Sequence, residues 1–113
     1  MGLSRLSRAI YNYAAMSIEA RQPAQSRLKD LLTLVRARPE RDQFTRLIEE
    51  AEALDRAISA FHMEGIRFRI YNVDRIVQHP PAVLPPDATA MVADVRRHLE
   101  AAGFHTRSHQ SPT

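Results

Sequence analysis

Apolar residues in the middle of this chain recur with a helical period for about five turns, and no other feature constrains the fold as tightly. Phe44, Leu47, Ile48, Ala51, Leu54, Ile58 and Phe61 fall on one side of a cylinder that advances 100° per residue. A helix with one apolar stripe must bury it against other elements. The preceding sequence supplies them. Leu3, Leu6, Ile10, Tyr13 and Ala14 line a stripe, with Arg5, Arg8, Asn12 and Glu19 opposite. That pattern predicts a first helix over about 3–21, stopped before Pro23 because the residue before a proline is pushed out of the helical region. Leu28, Leu31, Leu32 and Val35 predict a second helix ending ahead of Pro39. Pro39 suits the first turn of the third, with Glu40 and Asp42 at its positive end. So short a link between helices two and three implies an antiparallel pair.

Gly65 and Gly103 each follow a helical stripe. Both are expected to be the left-handed residue that closes a helix, with apolar pairs Phe61–Ile66 and Leu99–Phe104 across each closure. After Gly65 the residues alternate. Ile66, Phe68 and Ile70 face one way and Arg67, Arg69 and Tyr71 the other, which predicts a half-buried strand. After Gly103, "FHTRSH" alternates more weakly around Phe104. Between the two lie "DRIVQ", with room for one helical turn, and "HPPAVLPPD", whose prolines exclude regular structure. Asp87 is placed to cap a last helix that buries Met91, Val92, Val95 and Leu99. The expected fold is mainly α within the α+β class. It has three N-terminal helices, a short strand, a Pro-rich loop, a C-terminal helix and a weak second strand, parallel to the first if they pair. The length of 113 residues suits one small domain over 1–113, with residues 105–113 as a fraying tail.

The absence of cysteine excludes disulfides, iron–sulfur clusters, thiolate zinc sites and a cysteine nucleophile. No apolar run approaches the roughly 20 residues that span a bilayer. Met1-Gly2 is followed by Leu6 where a myristoylation signal needs Ser or Thr. Residues 1–18 are basic, amphipathic and free of acids, which fits a transit peptide or an ordinary core helix. A cytoplasmic location is expected. All bases but Lys29 are arginine, which points to a GC-rich, bacterial genome. The net charge of +3 is uneven, +5 over residues 1–39 and −4 over 40–64. That pattern fits a basic helix pair beside an acidic helix, or a basic surface for an anionic partner.

The sequence has no glycine-rich phosphate loop, no G-x-S-x-G elbow and no H-E-x-x-H. His62 and Glu64 form H-x-E, but the zinc deaminase signature also needs cysteines. His105 and His109 would chelate on a helix yet stand about 13 Å apart along a strand. No metal site and no cofactor are expected. Asp55 interrupts the apolar stripe of helix three, with Ser59 beside it and His62 two turns on. A buried carboxylate needs a partner. The pair is either a satisfied polar contact or the acid and base of a small enzyme. The strand face of Arg67, Arg69 and Tyr71, joined by Arg107, would hold phosphate or stack a base. Equally, it would serve as edge protection. The leading expectation is a soluble, non-enzymatic protein-interaction or regulatory domain that self-associates, since an incomplete sheet calls for a second copy or another protein. One alternative is a nucleic-acid-binding protein using the basic N-terminal helices or the Arg67/Arg69/Tyr71 face. The other is an enzyme centred on Asp55 and His62.

Overall fold

Ser17 begins the first helix of the computed structural model, which describes residues 17–104 and Thr106. The stripe from Leu3 to Ala14 lies outside those residues. Ser17 Oγ accepts from the Ala20 N–H at 3.2 Å and so caps α1, Ile18–Arg36. Glu19 in the first turn and Arg36 in the last complement the helix dipole.

The expected break before Pro23 does not occur. Pro23 sits inside α1, exposed, and the buried line of Arg21, Ala24, Leu28, Leu31, Leu32 and Val35 runs past it. An interior proline costs about 3 kcal/mol. Burial of four large aliphatic side chains, at roughly 1.5–3 kcal/mol each, outweighs that. Pro39 belongs to the turn after α1 rather than to the next helix. A 3-10 turn at Arg41–Phe44 buries the Phe44 ring completely and leads into α2, Thr45–Ser59.

α2 closes with both hydrogen bonds of a Schellman turn, His62 N–H to Ala57 O at 2.9 Å and Phe61 N–H to Ile58 O at 3.1 Å. The left-handed residue is Phe61, with φ of 57°. Gly65, expected in that role, is not in the left-handed region. It lies in the first turn of α3, Met63–Gln78. His62 caps α3, its Nδ1 accepting from the Gly65 N–H at 2.8 Å. Gly65 is required there for space, since a Cβ would stand 2.6 Å from His62 Nδ1 and 3.3 Å from Ala57 Cβ.

A double-mutant cycle tests this account. His62→Ala is expected to cost about 1 kcal/mol. Gly65→Ala should gain about 0.5–1 kcal/mol of helix propensity only in the His62→Ala background, and lose it in the native one. Urea denaturation of the four proteins reads the coupling, and simple additivity would mean that the ring does not crowd Gly65.

The expected strand over residues 66–71 is overturned, because those residues and "DRIVQ" all belong to α3. Ile66, Ile70, Val73 and Val77 are buried at spacings of four, three and four, whereas Phe68 is 56% exposed. A fully buried helical stripe prevails over a short alternation. No strand occurs among the described residues, so the α+β expectation gives way to an all-helical fold. The loop after α3 lays Ala82 and Leu84 against the core. α4 spans Ala88–Ala101, and Asp87 precedes it without a side-chain cap bond. Gly103, with φ of 101°, closes α4 as expected, and Phe104 N–H reaches Leu99 O at 2.9 Å. Phe104 and Thr106 are both buried, with Thr106 Oγ1 donating to Glu100 at 2.8 Å. Thr106 is therefore anchored.

α1 packs chiefly on α4 and α2 on α3, while α1–α2 and α3–α4 contacts close the ring around one core. Each interface carries an ion pair: Arg36–Glu52, Arg69–Glu50 at 3.0 Å, Arg96–Asp74 at 2.8 Å and Arg27–Asp94 at 2.9 Å. Partly exposed pairs contribute about 0.2–1 kcal/mol. The core, not these pairs, holds the helices together.

Candidate functional site

Asp55 and His62 are not brought together as an acid–base pair. Asp55, partly buried, accepts from Gln25 Nε2 at 3.2 Å, and the same nitrogen donates to Ser59 Oγ at 2.8 Å. His62 is exposed and occupied in capping α3. Both residues serve the joint between helices.

Sequence reasoning missed the centre of that joint. Arg21 is buried, and its Nη1 donates to Ile58 O at 2.5 Å and to Ser59 O at 3.3 Å. The guanidinium thus meets the last carbonyls of α2, where the helix dipole is negative. It also lies 5.3 Å from the centre of the Phe61 ring, which meets Phe104 edge to face at 5.9 Å. An arginine on a core stripe was the available signal.

The basic face read as a strand is dismantled by the helix. Arg67 and Tyr71, four apart, share one side of α3, and Arg69 points away from them. Arg67 lies 3.9 Å from Glu64. Arg69 grips both Glu50 oxygens, at 3.0 and 3.2 Å, with its guanidinium 5.0 Å from the Phe68 ring centre. Arg107, His105 and His109 lie outside the described residues. On α1, Arg21, Arg27 and Arg36 are all engaged by other helices.

Two adjoining features take the place of that face. Glu64, Phe68, Tyr71 and Arg75 fall within an arc of about 60° on the side of α3 opposite its buried stripe. Arg75 lies 6.0 Å from the Tyr71 ring centre. Beside this face, the seam between α2 and α3 opens into a cleft of about 310 Å³ lined by Arg46, Asn72, Arg75, Ile76 and His79. Asn72 Nδ2 donates to Glu50 at 3.1 Å, one helical turn from Arg46, and so marks the inner end of the cleft. A helical reading of residues 63–78 would have found the first of these features.

Elsewhere, a hydrogen bond from its own backbone N–H and the nearby Arg38 hold the Glu40 carboxyl below the usual carboxylate range. Glu40 lies in the turn between α1 and α2 and brings no chemistry to the cleft. Among the described residues, no cluster of three His, Asp or Glu is placed to hold a metal, and no helix is long and apolar enough to cross a membrane. Comparison with known proteins gives no match, whether to a family model, a curated protein or a solved structure.

Proposed function

We propose that this chain is a non-enzymatic interaction domain that pairs with a second copy of itself through the outer face of α3. The observation that carries the reading is the order of residues on that face: acid, aromatic, aromatic, base. Two copies of α3 laid antiparallel about a two-fold axis midway between Phe68 and Tyr71 place Glu64 against Arg75 of the second copy. Phe68 then meets Tyr71, and both contacts occur twice, as a two-fold interface requires. The stripe is about 16 Å long, and the exposure of Phe68 leaves its ring available.

A single helix face is small beside the roughly 1,600 Å² buried in a typical stable complex. The expected dimer is therefore weak, with a dissociation constant of about 10 µM to 1 mM. Sedimentation equilibrium over that range measures it. Glu64→Arg opposes two arginines and should weaken the dimer about tenfold or more, as should Arg75→Glu. Combining the two restores the pairing with its signs exchanged. The combined variant is expected to lose about 1 kcal/mol of fold stability, since each charge now opposes the helix dipole, yet to regain the dimer. A protein that stays monomeric throughout, or a combined variant that pairs no better than either single one, overturns the proposal.

A further inference from the structure

We infer that the cleft between the N-terminal end of α2 and the C-terminal end of α3 binds a small oxyanion of the phosphate class. The seam between these helices changes character along its length. At its inner part, Glu50 neutralises Arg69 and accepts from Asn72. One turn outward, Arg46, Arg75 and His79 converge with no carboxylate among the lining residues. Among the other described arginines, Arg27, Arg36, Arg38, Arg67, Arg69, Arg96 and Arg97 lie in ion pairs and Arg21 closes a helix, while the exposed Arg41 and Arg56 lie outside the cleft. Arg46 and Arg75 form no ion pair among the described residues and line the same cleft. Like charges set together repel, and an anion between them relieves that repulsion.

The donors identify the ligand's chemistry. Each guanidinium presents several N–H groups in a fixed fork, and two of them around one cleft match an acceptor with three or more oxygens and more than one charge. A carboxylate, with two oxygens and one charge, leaves the second arginine uncompensated. The volume of about 310 Å³ lies at the small end of ligand cavities, with room for a phosphoryl group and part of a molecule that carries it. Ile76 supplies an apolar wall.

Titration with inorganic phosphate, followed by amide and arginine side-chain NMR, tests the site. Saturable shifts confined to Arg46, Asn72, Arg75, Ile76 and His79 are expected, half complete in the millimolar range. Chloride at equal ionic strength should not reproduce them. Arg46→Gln should weaken binding about tenfold, since it removes one charge-assisted fork and leaves an exposed, uncharged side chain. Arg75→Gln should do the same, whereas Arg56→Gln, on an exposed arginine outside the cleft, should change nothing. A short single-stranded oligonucleotide forms the second arm. If it binds more tightly than phosphate, with a steep salt dependence that Arg46→Gln reduces, the phosphoryl groups are those of a nucleic acid. If it binds no better, the source is a free or singly phosphorylated molecule. Absence of saturable shifts up to about 50 mM phosphate, or equal shifts in Arg46→Gln, overturns the inference. Arg75 also belongs to the proposed dimer face, so the two proposals are separated on Arg46, which is outside that face, and Glu64, which is outside the cleft.

Discussion

Ile70→Ala should cost the protein about 2–5 kcal/mol, while Phe68→Ala, two residues away, should change stability by less than about 0.5 kcal/mol. Ile70 is fully buried in the common core, and truncating it leaves a cavity that close-packed neighbours fill only in part. Phe68 is 56% exposed on the opposite side of α3. The two substitutions together discriminate between helix and strand. On a strand, residues 68 and 70 share a face, and both truncations would be costly. On the helix they lie 200° apart, and only one is. Urea unfolding of the two variants measures the contrast, and similar losses for both would return residues 66–71 to an extended conformation. Because the proposed dimer is weak, measurements at low micromolar concentration read the fold alone.

Arg21→Met should cost about 3 kcal/mol, a large share of the 5–15 kcal/mol that holds a domain of this size. Methionine keeps much of the arginine's length and apolar stem but removes every donor. Ile58 O then keeps only backbone donors such as the Phe61 N–H, and Ser59 O loses its guanidinium donor at the end of α2. Loss of these charge-assisted bonds costs about 1.5–3 kcal/mol, and loss of the contact with the Phe61 ring adds about 1 kcal/mol. The backbone of Phe61 is itself held in the left-handed conformation, which disfavours a residue with a side chain by roughly 1–2 kcal/mol. The contacts of its ring with Arg21 and Phe104 offset that strain. Arg21→Lys, a compact charge without the planar fork, should recover about half of the loss. A loss below about 1 kcal/mol for Arg21→Met would mean that water serves these carbonyls as well as Arg21 does.

The helix closures show which signals are local. Gly103 and the pair Leu99–Phe104 form the expected closure of α4, because a glycine after a stripe removes the cost of the left-handed turn. The same motif exists at the end of α2, but shifted to Phe61. Gly65, four residues on, was a more attractive place for it by composition. The shift follows from contacts with Arg21 and Phe104, which come from opposite ends of the described chain. A local rule weighs only the cost of a Cβ at positive φ and cannot weigh the partners that compensate it.

The candidate site was legible only in its parts. Arg67, Arg69 and Tyr71 were singled out as a basic, aromatic face, and residues of that kind do lie on the outer side of α3, but the set that shares a face is Glu64, Phe68, Tyr71 and Arg75. An error of period reassigns every side chain, since residues two apart are aligned on a strand and nearly opposed on a helix. Arg46 and His79 could not be joined by any sequence rule, because they meet only where α2 and α3 cross.

The sequence by itself determined that α2 and α4 are helices and most of their buried residues, although Ile48 and Met91 are only partly buried and Phe61 is exposed. The stripes of Leu47, Ala51, Leu54 and Ile58, and of Val92, Val95 and Leu99, run long enough to separate a period of 3.6 from a period of two. Tertiary structure alone decided that α1 continues through Pro23 and that residues 63–78 form one helix. In both segments the local preference pointed elsewhere, through a proline in one and a six-residue alternation in the other. Those preferences amount to about 1–3 kcal/mol. Burying Leu28, Leu31, Leu32 and Val35 on one helix, and Ile66, Ile70, Val73 and Val77 on the other, contributes several times as much. That burial exists only once the other helices are in place.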